Sequence, residues 1–155
     1  MTADKPVFFS GYGFSLRGEK NRFVLPPAFR NAIQDSTGNR TLCLGFNQKP
    51  RCLTGFGLNR AEDLEAQVER ERESAISQGK PFDEFDLRRQ LFSFEQIPFD
   101  SSGRFVMPDY LIDSARIDDA ICVIGFGKYF TIWAPQALYM MDDTYAPQMA
   151  ACRAL

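Results

Sequence analysis

The sequence predicts a mainly β protein with short helices, an α+β fold, and three observations carry that expectation. RFVLP, residues 22–26, returns as RFVMP, residues 104–108, 82 positions later. Fifteen phenylalanines against one tryptophan, in a chain that is 45% apolar, suit a core packed between sheet layers. A charged stretch with helical periodicity, residues 58–93, separates the copies. At 155 residues the chain is one domain, or two small units sharing a core.

The elements can be read in chain order. In the first copy NRFVLPPAFRNAI is followed by TLCLGF and CLTGF; in the second GRFVMPDYLIDSA is followed by AICVIGF and YFTIW. Each copy reads as a turn, a strand ending in proline, a short helix, an apolar strand, a tight glycine-containing turn and a further strand. Arg22, Phe23, Val24 and Leu25 alternate faces, and Pro26, which cannot donate to a ladder, ends the strand and starts a helical turn. Pro27 sits where a helix tolerates it, and Phe29 with Ile33, four apart, gives that helix one apolar side. Leu111 and Ala115 do the same in the second copy.

Asn59 followed by Glu62 predicts a capped helix start, Leu64 and Val68 its buried stripe, and Gly79 with Pro81 its end. A second helix is predicted over residues 82–91, carrying Asp83 and Asp86 beside Phe85, Arg88 and Arg89; QVERERES reads as a solvated face. Pro135 opens a last helix through Met141, and the chain from about Ala146 is expected to be loose.

Charge narrows the function. Residues 1–60 hold nine lysines and arginines against three acids, a surplus of six positive charges; the remainder holds nine against seventeen, a deficit of eight. Such asymmetry fits one face that meets a polyanion, or bases scattered over several surfaces. No run reaches the length of a membrane span, and MTADKPVFF lacks the basic lead and apolar core of a signal peptide, so a cytoplasmic protein is expected. Histidine is absent and Cys43, Cys52, Cys122 and Cys152 form no CxxC pair, so they read as reduced, buried small hydrophobes and no metal or cofactor is expected.

An enzyme is disfavoured. Three G-x-G stretches, residues 11–13, 55–57 and 125–127, reach no third glycine and open no patterned helix, so they read as bends in twisted strands. Asp118-Asp119 and Asp142-Asp143 lie at predicted helix ends, where capping or solvation explains them. No base and nucleophile stand together, and no small-molecule substrate is expected.

The turn before each RFV strand is where chemistry can sit. In FDSSGRF, Asp100 and Arg104 can pair across a loop whose Gly103 accepts a positive φ. This doubled unit, with GFGKYFTIW over residues 125–133, resembles the MraZ family of bacterial transcriptional regulators with two AbrB-like repeats, over roughly residues 7–140. The resemblance implies two swapped-hairpin half-barrels interleaved as one intrachain double-repeat barrel, with repeats at 7–57 and 94–140, a helical connector at 58–93 and a tail at 141–155. It implies protomers closed into a ring, and sequence-specific binding of double-stranded DNA at short G-rich direct repeats upstream of the division and cell-wall gene cluster, hence a nucleoid-associated protein. It also makes the turn arginine the main DNA contact, here Arg22 and Arg104, with Asp100 the second motif's acid.

The first copy departs from the pattern. Gly18 or Arg17 stands where the family has aspartate, and Asn21 replaces glycine. RGEKNR is thereby more basic, suited to phosphates, with Arg22 less fixed. Arg17, Lys20, Arg22 and Arg30 are the expected DNA contacts; the bland reading pairs Arg22 with Glu19. Asp100 and Arg104, in the acidic half, are expected mainly as a structural pair. The alternative function is an antitoxin-like protein-binding module of the same fold, disfavoured because such chains usually carry one repeat.

Overall fold

The computed structural model describes residues 8–155. The first copy runs through β1 (Tyr12–Leu16), β2 (Arg22–Val24), α1 (Pro27–Thr37), β3 (Thr41–Asn47) and β4 (Cys52–Phe56). Two helices follow, α2 (Arg60–Ser77) and α3 (Glu84–Phe92). The second copy repeats the order with β5 (Phe94–Pro98), β6 (Arg104–Val106), α4 (Asp109–Ala115), β7 (Ala120–Gly125) and β8 (Phe130–Trp133), before α5 (Pro135–Tyr139) and α6 (Ala146–Ala154). Residue 7, where the first repeat is expected to begin, and the chain's opening residues lie outside the described residues.

The RFV triplets become strands for the reason their alternation gives. Phe23 and Phe105 turn inward while the residues flanking them face solvent. Pro26 and Pro108 then bring in α1 and α4, and α1 stops where Gly38 takes φ 77°. Phe29 and Ile33 are buried on α1, Leu111 and Ala115 on α4.

All named strand pairs are antiparallel. Six strands form a sheet in the order β1-β7-β8-β4-β3-β5, and β2 with β6 forms a separate two-stranded ribbon. Replacing each strand by its counterpart in the other copy leaves the sheet order unchanged when read backwards. Each half of the sheet therefore takes its edge strand from the other copy: β1 lies on β7, with Tyr12 opposite Ile124, and β5 on β3, with Phe94 opposite Gly45. The same two-fold relation runs through the ribbon, where Phe23 faces Phe105. At its ends the Leu25 N–H donates to the Gly103 carbonyl at 2.8 Å and the Met107 N–H to the Asn21 carbonyl at 2.9 Å.

The core draws on both copies and on phenylalanine, as the composition suggests. Phe9, Phe29 and Phe130 meet with centroids 4.8 to 6.1 Å apart, and Phe23 and Phe105 lie 6.1 Å apart beneath the ribbon. A second cluster gathers Cys52, Cys122, Trp133, Leu138 and Cys152, and a third seats Leu64 of α2 with Cys43 and Phe56. All four cysteines are buried and free of disulfides.

Several expectations are corrected. The fold is mixed α+β around a mainly antiparallel sheet, as expected, but the helices are not all short: α2 runs 18 residues. The chain from Ala146 is the helix α6, anchored by buried Cys152 and by the Arg153 guanidinium 4.3 Å above the Tyr139 ring. Asn59 is already helical at φ −61°, ψ −24°, makes no side-chain cap, and leaves its Oδ1 buried without a partner. Asp83 caps α3 instead, accepting from the Asp86 N–H at 3.0 Å, so that helix starts at Glu84. The β3–β4 turn contains no glycine, whereas Gly127 at φ 80° serves the β7–β8 turn. Gly55 is a close approach, not a bend: an added Cβ would lie 2.4 Å from the Phe130 ring.

Candidate nucleic-acid interface

Arg22 and Val24 of β2 and Arg104 and Val106 of β6 all face solvent on the ribbon's outer side, because the buried phenylalanines fix the alternation. Arg22 is paired with Val106 and Arg104 with Val24, so the two arginines are diagonal neighbours. They line one hollow of about 280 Å³ together with Asp100. The two motif arginines, 82 positions apart in sequence, thus share a face.

The two turns that lead into these strands are built differently. In the second, the Asp100 N–H donates to the Arg104 carbonyl at 3.0 Å, the Gly103 N–H donates to the Asp100 carbonyl at 2.9 Å, and Gly103 takes φ 85°. The Asp100 carboxylate accepts the main-chain N–H groups of Ser102 and Arg104 and, at 2.8 Å, the Nε of Arg104. Those contacts, the Arg104 main-chain N–H foremost, hold the carboxyl below the usual carboxylate range. The pair lies across the turn as the sequence suggests, and it orients the Arg104 guanidinium.

In the first turn Lys20 and Asn21 both occupy the left-handed region, at φ 57° and 60°. Support comes from side chains. Arg17 donates from Nη2 to Asn21 Oδ1 at 2.6 Å and from Nη1 to the Asp118 carbonyl at 3.1 Å. Asn21 in turn donates from Nδ2 to Asp109 Oδ1, at 2.5 Å, on the first turn of α4. Lys20 and Arg22 are exposed, and among the described residues no ion pair or side-chain hydrogen bond engages either. Glu19 does not pair with Arg22.

The structure divides the four sequence-derived candidates of the first copy. Lys20 and Arg22 present free cationic ends, whereas Arg17 is occupied in the turn's own network. Arg30 is half-buried, donates from Nη1 to the Leu25 carbonyl at 3.0 Å, and packs on the opposite turn, where a Cβ on Gly103 would come within 2.8 Å of it. Two further bases of the first third lie elsewhere. Arg51 donates to the Ser114 carbonyl at 2.7 Å, and Arg60 lies 5.8 Å over the Tyr129 ring, neither lining the hollow.

Sequence reasoning missed the link from Asn21 to Asp109, 88 positions apart. Its one linear signal is that Asp109 follows Pro108 in the slot that Pro27 fills after Pro26.

Burial pushes the Cys43 thiol up to about 11 and the Cys52 thiol to about 12, which keeps both protonated and poorly nucleophilic. Among the described residues no helix is long and apolar enough to cross a membrane.

No protein-family model matches the chain. Individual proteins do. The transcriptional regulator MraZ of Rhodospirillum rubrum is 29% identical over 120 residues, covering 77% of this chain and 74% of its own length. That of a Roseiflexus species is 30% identical over 119 residues, 76% of this chain and 75% of its own. That of Dictyoglomus turgidum is 30% identical over 135 residues, 84% of this chain and 81% of its own. Likeness of that extent places the chain in the MraZ family of transcriptional regulators.

Proposed function

We propose that this regulator binds DNA in a sequence-specific way through the outer face of the β2–β6 ribbon and its basic turns. The observation that carries the reading is the Arg22 side chain: exposed, its guanidinium without a hydrogen-bond or ion-pair partner among the described residues, and beside Arg104 on one small hollow. A two-stranded ribbon fits the major groove, where a guanidinium reads guanine O6 and N7 with two parallel hydrogen bonds. Lys20 and neighbouring bases hold phosphates and set the register. Val24 and Val106, 40% and 50% exposed between the arginines, suit contact with thymine methyl groups.

One such face gives modest affinity. We propose that protomers assemble into a ring that presents several faces to short direct repeats upstream of the division and cell-wall genes, so that effective concentration multiplies weak contacts. The exchanged edge strands support the two AbrB-like repeats, residues 7–57 and 94–140, as swapped-hairpin half-barrels closing one intrachain barrel, with residues 58–93 as connector and 141–155 as tail. Such a protein works in the cytoplasm, on the nucleoid.

The test is fluorescence anisotropy on direct-repeat DNA with wild type beside Arg22→Ala. The substitution should weaken binding by roughly 1–3 kcal/mol per engaged face, and wild-type affinity should fall steeply with added salt as release of condensed counterions into a saltier bulk becomes less favourable. Overlapping titrations for the two proteins, or selective capture of a protein partner with no DNA affinity at moderate salt, would reject the reading.

A further inference from the structure

The first turn lacks the acid that organises the second, yet its tip stands in an equally defined shape with two non-glycine residues in the left-handed region. Such a conformation persists only where the surroundings impose it. Here they come from the other copy. Asp109, on α4, accepts from Asn21 at 2.5 Å; Asn21 accepts from Arg17 at 2.6 Å; and Arg17 reaches on to the Asp118 carbonyl at 3.1 Å. Both ends of this chain of bonds are second-copy residues, and its middle is the first-copy tip. The Asn21 carbonyl is itself a ribbon acceptor, taking the Met107 N–H at 2.9 Å, so the tip's position is also that of the strand carrying Arg22.

The consequence differs from that of a turn acid. Asp100 orders its turn but spends part of itself on the Arg104 guanidinium. Asp109 orders the first turn through an amide and leaves the Arg22 guanidinium unclaimed. Building on the DNA-binding reading above, we infer that Asp109, acting through Asn21, is a positioning residue that substitutes from the second copy for the missing turn acid and preorganises Arg22 for base recognition.

This role has a signature that general destabilisation does not share. An acid beside a DNA face repels phosphates, so removing it should by charge alone favour any DNA. Removing the brace should weaken only binding that depends on Arg22 geometry. Anisotropy with two labelled duplexes separates these effects: the DNA upstream of the chain's own gene, and a scrambled duplex of the same composition. For Asp109→Ala, affinity for the upstream duplex relative to the scrambled one should drop about three- to ten-fold, the loss of one hydrogen bond, with scrambled binding unchanged or tighter. Asp109→Asn keeps an Oδ1 acceptor and should retain the wild-type ratio. Asn21→Gly cuts the same link, and the Arg17 bond with it, while keeping a residue suited to φ 60°. It should lower the ratio at least as much as Asp109→Ala, and the double variant should be no worse than Asn21→Gly alone, which also serves should Asp109→Ala fail to fold.

A wild-type ratio in both Asp109→Ala and Asn21→Gly, alongside lost binding in Arg22→Ala, would overturn the positioning role and leave the DNA reading standing. Unchanged binding in Arg22→Ala, or equal wild-type affinity for the two duplexes, would overturn the DNA reading instead.

Discussion

Gly103 shows how narrow the tolerance is at a single position of the candidate interface. At φ 85°, a side chain there would put its Cβ 2.5 Å from the Leu25 carbonyl oxygen and 2.8 Å from the Arg30 side chain. The arginine can swing away; the carbonyl cannot, because it belongs to the chain leaving the ribbon. Gly103→Ala should therefore cost roughly 2–4 kcal/mol, the left-handed penalty plus overpacking, read as a lower midpoint in urea unfolding. Asn21 fills the equivalent slot at φ 60°, and there the penalty is partly offset by the bonds its amide makes to Arg17 and Asp109. The glycine of the second motif was legible in the sequence, as was the Asp100–Arg104 pair four residues apart, because both are local. Arg30 was legible only as a charge. That it braces the opposite turn depends on the ribbon pairing, which sets Leu25 against Gly103.

Among the elements, the α2–α3 pair sets packing against ion pairing. Arg88 bridges Glu65 of α2 and Glu84 of α3 at 2.9 Å each, and Arg72 joins Glu69 and Glu84. These contacts hold the Glu65 and Glu84 carboxyls below their usual range. Their side chains are 31% to 60% exposed, so solvent and salt screen most of the attraction. Leu64 by contrast is 3% exposed and packed with Cys43 and Phe56. Leu64→Ala should cost roughly 2–4 kcal/mol in chemical unfolding, and Glu84→Ala should move the midpoint much less, by an amount that shrinks in salt. The apolar stripe of α2 was readable from spacing. Its cap was not, since the Asn59 backbone is drawn into the helix and its side chain buried. Nor was α6 read from the tail, although Pro147 stands at its start, because what orders it is contact with Cys122 and Trp133 far back in the chain.

For the whole molecule, the duplicated sequence disclosed two copies of one element order but not how they interlock. Pairings such as Tyr12 with Ile124 or Thr41 with Pro98 leave no local mark, and short stretches like YGFSL and FEQIP do not declare themselves edge strands. Their consequence is that neither half is self-sufficient. A cut between Gly79 and Lys80, in the exposed turn separating α2 from α3, leaves β1 and β2 without their ladder partners β7 and β6, and β5 without β3. Each fragment would also expose half of a core that both copies line. Conformational entropy then outweighs the remaining burial. Residues 1–79 and 80–155, prepared separately, should each lack a cooperative thermal transition by circular dichroism. Mixed in equal amounts, they should regain strand signal and a transition whose midpoint rises with concentration, because association supplies the missing partner strands. A sharp, concentration-independent transition in either fragment alone would mean that the edge strands are dispensable and that one copy's own strands suffice for a core.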